Sequence, residues 1–360
     1  MISYVIPTKD RHAELARTLD AIGSIAEHGP GAMPAEVIVV DNASDEPARA
    51  PNWLPNGVAV RVERLHSNEG AAGRNAGVLR ASAQTEWVVM LDDDSAPMDG
   101  AFVAALDDHA ADVGAVSADI FLSDGSRERG GLPEVFIGCG VAIRRWAFLA
   151  SGGYDPSFGY YAEEYDLAAK LMLGGRRIAF DPRFRVLHRK VPGGRDMDVI
   201  LRRLVRNNGW VLQRYAPDDE LEARLGENEA RYRAIADKEH ARAGFDAGLE
   251  ELKATLGRQR RTPMDRAVWD RFTGLAAARA ALREAMDRSP FETAQIVEPG
   301  KNAWVIERAL RELGVEIVEE GAVERVVGTM SPGPMLDAGG DGVITPWSVP
   351  GARGRRRVAA

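Results

Sequence analysis

The stretch VVMLDDDS, residues 88–95, places three consecutive carboxylates, Asp92, Asp93 and Asp94, at the mouth of an apolar strand. Adjacent acids repel one another and their pKa values climb unless a cation or hydrogen bonds compensate. In an extended chain Asp92 and Asp94 project to one side and Asp93 to the other, so an Asp-x-Asp pair can share one Mg²⁺ or Mn²⁺. A hard cation with few protein ligands completes its shell with water and substrate phosphates. A helix N-cap cluster at a strand-to-helix turn is the competing reading, since Asp and Ser cap well and suit the helix dipole. Polar groups also stand at the ends of two earlier strands, Pro7-Thr8 and Asp41. Thr8 or Asp10 can alternatively cap the first helix. The glycines of NEGAAGRNAG, residues 68–77, do not match the dinucleotide fingerprint, and close packing explains Gly73 and Gly77 as well as a ligand does.

The elements that must hold these groups alternate. ISYVI (2–6) reads as a strand ended by Pro7, and Leu15, Leu19 and Ile22 then fall at helical spacing. EVIVVD and VAVRVERL are further strands, a glycine-punctuated helix start follows, and EWVVML is a buried strand. Apolar strands alternating with helices predict an α/β fold with a doubly wound, mostly parallel Rossmann-like sheet, in which ligands bind outside the carboxyl ends of the strands. A helical, densely charged region is expected over residues 196–290 and a small α/β segment over 291–345. GTMSPGPMLDAGGDG is read as a turn-rich segment, with SPGPMLDAGG (331–340) taken as a plain turn in preference to a loop that approaches a phosphate. The tail from 346 to 360 is expected to be disordered.

At 360 residues and about 150 per domain the chain is long enough for one large core and an appendage. A net charge of −8 argues against an electrostatic grip on nucleic acid. The single cysteine, Cys139, excludes an internal disulfide and reads as a small buried hydrophobe. The N-terminus lacks a secretory signal and no apolar run reaches the ~18 residues of a membrane span, so the chain is read as cytoplasmic. The amphipathic stretch RDMDVILRRLVRNNGWVLQRYAP, with Trp210 and Tyr215, leaves peripheral contact with the inner membrane face open, although ordinary helix packing is preferred.

VIPTKDR, VIVVDNAS, NEGAAGRNAG, VVMLDDDS, GGYDPSF with YYAEEYDLAAKL, and VLHR occur in this order over residues 1 to about 215. The set resembles the inverting family 2 glycosyltransferases of GT-A fold. The resemblance implies a catalytic domain over 1–195 and a metal-dependent transfer of sugar from a nucleotide-diphospho-sugar, with uridine favoured, to a hydroxyl of a glycan, lipid or small-molecule acceptor. By the same resemblance Pro7, Thr8 and Arg11 embrace the nucleotide, Asp41 accepts from its base, and Asn68, Gly70 and Arg74 lie against it. Asp94 becomes the direct metal ligand, Asp92 the acid nearer the ribose or metal waters, and Asp93 the intervening residue. His188 matches a further ligand of metal or diphosphate.

The acceptor-side base matches Glu163 or Glu164, with Glu164 the choice; Glu164 departs from the aspartate usual at its position. Asp166 is expected to act mainly as a helix N-cap, and Trp146, Tyr160 and Tyr161 either stack on acceptor sugar or pack in the core. Two other classes stand beside this reading. A sugar-nucleotide pyrophosphorylase would carry a Gly-rich, Arg-containing loop that PTKDRHAE lacks. A non-catalytic nucleotide-sugar-binding domain would not need a full metal and base set.

Overall fold

The computed structural model describes residues 1–28, 31–190, 196–340 and 342–349. Strands β1 (Ile2–Thr8), β2 (Ala35–Asp41), β3 (Ala59–Arg64) and β4 (Trp87–Met90) interleave with helices α1 (His12–Gly23) and α2 (Gly73–Arg80). β5 (Ser95–Pro97), α3 (Ala101–Asp107), β6 (Val113–Leu122), β7 (Val141–Arg144), α4 (Arg145–Ser151), α5 (Glu163–Leu173) and β8 (Arg177–His188) complete the first half. The eight strands form one sheet in the order β3-β2-β1-β4-β7-β6-β8-β5. β1 to β4 run parallel, β7 lies antiparallel between β4 and β6, and β5 pairs antiparallel with β8. This is the mostly parallel α/β sheet the sequence predicts.

Side-chain alternation sorts β1 between two cores. Tyr4 and Ile6 face a cluster closed by Leu15, Leu19 and Ile22 of α1 and by Phe102 of α3. Val5 faces the opposite cluster, closed by Val78 of α2 and Leu167, Ala168 and Leu171 of α5. The strand continues through Pro7 to Thr8 rather than stopping at the proline. β4 leaves β1 at Val5, so beyond it β1 has only β2 beside it, and the missing amide of Pro7 breaks no ladder on the β4 side.

The second half is α6 (Met197–Tyr215), α7 (Asp218–Lys238), α8 (Arg242–Thr255), α9 (Arg266–Thr273) and α10 (Leu275–Arg288). It continues through β9 (Thr293–Val297), α11 (Ala303–Glu312), β10 (Glu316–Ile317), β11 (Glu324–Val327), α12 (Pro332–Ala338) and β12 (Val343–Ile344). β10-β9-β11-β12 make a second, parallel sheet. Its Ala294 and Val326 belong to the same hydrophobic cluster as Val5 and Leu167. The segment read as a plain turn at 331–339 is helical instead, with Pro at the start of α12, where a missing amide costs no helical bond. The disordered tail does not begin at 346: Trp347 is buried and meets Phe180 edge to face at 5.8 Å, and Val349 is buried. Residues 350–360 lie outside the described residues. Trp210 and Tyr215 are buried too, so the α6 aromatics pack inward instead of offering a membrane face. Among the described residues no helix is long and apolar enough to cross a membrane.

α6 also fixes the loop before α5. Tyr161 and Ala162 adopt left-handed φ values of 73° and 63°, a conformation costing about 1–3 kcal/mol at a non-glycine residue. The fully buried Asn207 donates from its amide nitrogen to the carbonyls of Phe158, Tyr160 and Tyr161 at 3.0, 3.0 and 2.7 Å. Asp166 is buried in the first turn of α5 and accepts from Arg214 and Tyr215 of α6 at 2.8 and 2.7 Å. It is therefore not the N-cap: Ala162 takes that position, and Asp166 bolts two helices together. Asn207→Ala is expected to lower unfolding free energy in denaturant titration by about 2 kcal/mol or more, because buried carbonyls lose their donor.

Candidate functional site

The acids of residues 92–94 occupy a turn between β4 and β5, closed by the Asp92 amide on Ser95 Oγ at 2.8 Å. They cap no helix, since α3 starts only at Ala101 behind Gly100. Nor does extended-chain alternation apply in a turn, and the acids divide differently. Asp93 and Asp94 share Arg11, at 2.8 and 2.7 Å, while Asp92 pairs with the buried Arg74. Thr8 donates to Asp93 at 2.8 Å. Burial pushes Asp93 up to about 7, with Arg11 and Thr8 opposing it only in part. Burial also works against Asp94, but hydrogen bonds from His188 and Arg11 outweigh it and hold this carboxyl well below the usual range.

His188 ends β8, opposite Ser95 of β5. Its Nδ1 lies 2.9 Å from Glu128 and its Nε2 3.4 Å from Asp94. Cys139 Sγ is 3.7 Å from Nδ1. Burial disfavours a charged ring, yet the bonds to Asp94, Cys139 and Glu128 outweigh it and lift the imidazole to about 12. Asp92, Cys139 and His188 hold ligand atoms within 4.8 Å of one another. Burial raises the Cys139 thiol, whereas the oxygens of Asp92 and Asp94, and the nitrogen of His188 once its imidazole gives up its proton, are donors that suit a hard divalent cation.

The second acid group opens α5. Glu163 is buried and Glu164 half-buried, and each has one carboxylate oxygen without a hydrogen-bond partner. Burial and then repulsion by Glu164 hold Glu163 well above the ordinary range. Burial raises Glu164 as well, against the pull of Lys301 and Arg74. Both carboxyls are thus held above the ordinary range, and the charge of Glu164 makes Glu163 the harder to ionise.

Residues 3–165 match the glycosyl transferase family 2 profile. That stretch is a family 2 glycosyltransferase domain. No curated protein matches the chain in sequence. Among solved structures, TarS residues 1–349 from S. aureus superimposes with a TM-score of 0.50 at 14% identity, covering 86% of this chain and 91% of that one. GalNAc-T7 with UDP, GalNAc and Mn²⁺ gives 0.48 at 18% identity over 72% of this chain and 57% of its own. The mannosyltransferase PcManGT from Pyrobaculum calidifontis, with GDP-Man and Mn²⁺, gives 0.44 at 17% over 87% and 86%. The chain thus spans little more than half of GalNAc-T7. At such identities the likeness is one of fold, the GT-A class.

The sequence candidates fall into several settings. Thr8, Arg11, Asp93, Asp94 and His188 form one connected polar network, and Arg74 pairs with Asp92 beside it in the same turn. Asp41 is fully buried and accepts from the amides of Ser44 and Ala48 at 2.8 and 3.0 Å, so here it shapes the loop after β2. Asn68 accepts from the Gly70 amide at 2.9 Å, and a Cβ on Gly70 (φ +59°) would meet the Gly159 carbonyl at 2.5 Å; that glycine allows the α2 loop to touch the loop before α5. Pro7 sits half-buried in β1. Neither Thr8 nor Asp10 caps α1: Asp10 accepts from the Asp45 amide at 2.7 Å. Trp146 is exposed under Arg176, whose guanidinium lies 4.8 Å from the ring centre.

Two members of the network were invisible in sequence. Glu128 joins His188 to Lys190, at 2.9 and 2.7 Å, from a polar loop with no distinguishing pattern. Cys139 fills the role of a buried small residue but also touches the histidine.

A carboxyl whose folded pKa is raised contributes stability below the unfolded value of 4.5 and loses it as pH rises through the folded one. Glu163→Gln is therefore expected to increase unfolding free energy at pH 8 by about 1 kcal/mol. The gain should shrink as pH falls toward 4.5, which denaturant melts across that range would check.

Proposed function

We propose that this chain transfers a sugar from a nucleotide-diphospho-sugar to an acceptor hydroxyl with inversion at the anomeric carbon. One observation supports this reading most strongly: the acid turn and the buried Glu163–Glu164 pair are linked through Arg74, which pairs with Asp92 and lies close enough to act on both glutamates. Arg74 also carries a buried Nε with no acceptor, a donor suited to an oxygen of the leaving diphosphate. Arg11 is the second cation on that side. Pro7, Thr8, Asn68, Gly70 and Asp93 line or shape the nucleotide's bed, and Asp41 acts from behind by ordering the adjacent loop. Uridine is the base that the family resemblance implies.

Asp94, Asp92 and His188 would hold Mg²⁺ or Mn²⁺. Such an ion supplies charge neutralisation to the diphosphate. Glu163 keeps its proton and Glu164 carries the charge, so Glu164 is the base. As the acceptor oxygen bonds to the anomeric carbon, its proton passes to Glu164. The bond from that carbon to the diphosphate breaks on the opposite face, and the electron pair leaves with the nucleoside diphosphate. The left-handed residues Tyr161 and Ala162, clamped by Asn207, fix the height at which α5 presents this carboxylate.

With a panel of UDP- and GDP-sugars plus Mn²⁺, the chain should release nucleoside diphosphate from one donor. Glu164→Gln should lower transfer by about 10²-fold or more while keeping the rise in Tm that donor nucleotide and Mn²⁺ produce. Asp94→Ala should lose both. Full transfer by either variant contradicts the reading.

A further inference from the structure

A cavity of about 430 Å³ lies where α5, α6, α7, α9 and α11 meet. That volume is in the range of small-molecule sites. Trp269, Phe272 and Trp304 give it flat apolar walls, and Tyr165, next in the chain after Glu164, is also on its lining. Three cations face it. Arg224 is already engaged, 2.7 Å from Glu227, the one carboxylate on the wall. Arg231 and Lys301 make no ion pair among the described residues. Lys301 instead lies 4.3 Å above the Tyr165 ring. Burial, then the charge of Arg231, push its ammonium down to about 7. Half-buried Lys301 and the more exposed Arg231 carry like charge on one aromatic cavity, and an anion placed between them would be attracted to both. Lys301 is also near enough to act on Glu164, which ties the cavity to the base.

We propose that this cavity receives the acceptor, and that the acceptor carries a compact anion, carboxylate or phosphate, on a ring or apolar body. The anion sits on Arg231 and Lys301, the ring lies between the aromatic walls, and the hydroxyl points toward Glu164. The assignment rests on the transferase reading above.

Calorimetric titration of the full chain, saturated with UDP and Mn²⁺, with naphthyl phosphate and with the neutral naphthyl glucoside tests it. One-to-one binding of naphthyl phosphate, at least tenfold tighter than the glucoside, is expected. Arg231→Met and Lys301→Met should each remove that tenfold advantage and leave the rise in Tm with UDP and Mn²⁺ unchanged. Equal affinity for both probes, an unaffected charge preference in the folded variants, or no probe binding while UDP and Mn²⁺ still bind would each overturn the cavity assignment alone. If naphthyl phosphate binds as expected but no nucleoside diphosphate does, the cavity binds anions and the acceptor role falls with the transferase reading.

Discussion

Burial of many acids at one edge of the sheet is the constraint from which the site's other features follow. Asp92, Asp93, Asp94 and Glu128 share a small region, where Arg11, Arg74, His188 and Lys190 pair with them. Charge taken out of water is tolerated only when paired or neutralised by a proton. The chain does both. Arg74 is held in α2 against Asp92, Arg11 leaves the start of α1 to bridge Asp93 and Asp94, and His188 carries a proton between Asp94 and Glu128. Neighbouring aspartates end in opposite states, one pushed up to about 7 and the other held low, because Asp93 has the shared Arg11 against the stronger burial and Asp94 has both Arg11 and His188.

The same logic extends to the carboxyl pair of α5, but there the supports come from the second half of the chain. Asn207 and Arg214 of α6, together with Lys301 beside α11, fix the loop, the helix and the electrostatic field around Glu163 and Glu164. The helical region and small sheet share a hydrophobic cluster with β1 and α5, so changes far along the sequence reach the candidate base through packing.

What could be read from sequence were features with short-range causes. Val37–Val40 of β2 and Trp87–Met90 of β4 are apolar runs, so their places as buried strands, with Asp41 and the acid triplet at their ends, follow from composition alone. What could not be read were partners chosen by the fold. Glu128 and Cys139 reach His188 across sequence separations of 60 and 49 residues. Asp166 resembles a cap by position, and only the approach of α6 turns it inward. The acid triplet was legible as a cluster but not in its division between Arg74 and Arg11, which depends on a turn replacing extended chain. Trp347 lies in a stretch whose glycine- and arginine-rich continuation masks one buried aromatic.

The central claim is that Arg11, Arg74 and His188 balance acids that a nucleotide's diphosphate and its divalent cation engage in the working enzyme. Anomalous diffraction from crystals of the chain grown with UDP and Mn²⁺ addresses it directly. The account predicts a manganese peak among Asp92, Asp94 and His188, with the Arg11 guanidinium moved from Asp94 onto the diphosphate. Manganese elsewhere, or UDP bound with Arg11 still bridging Asp93 and Asp94, would contradict it.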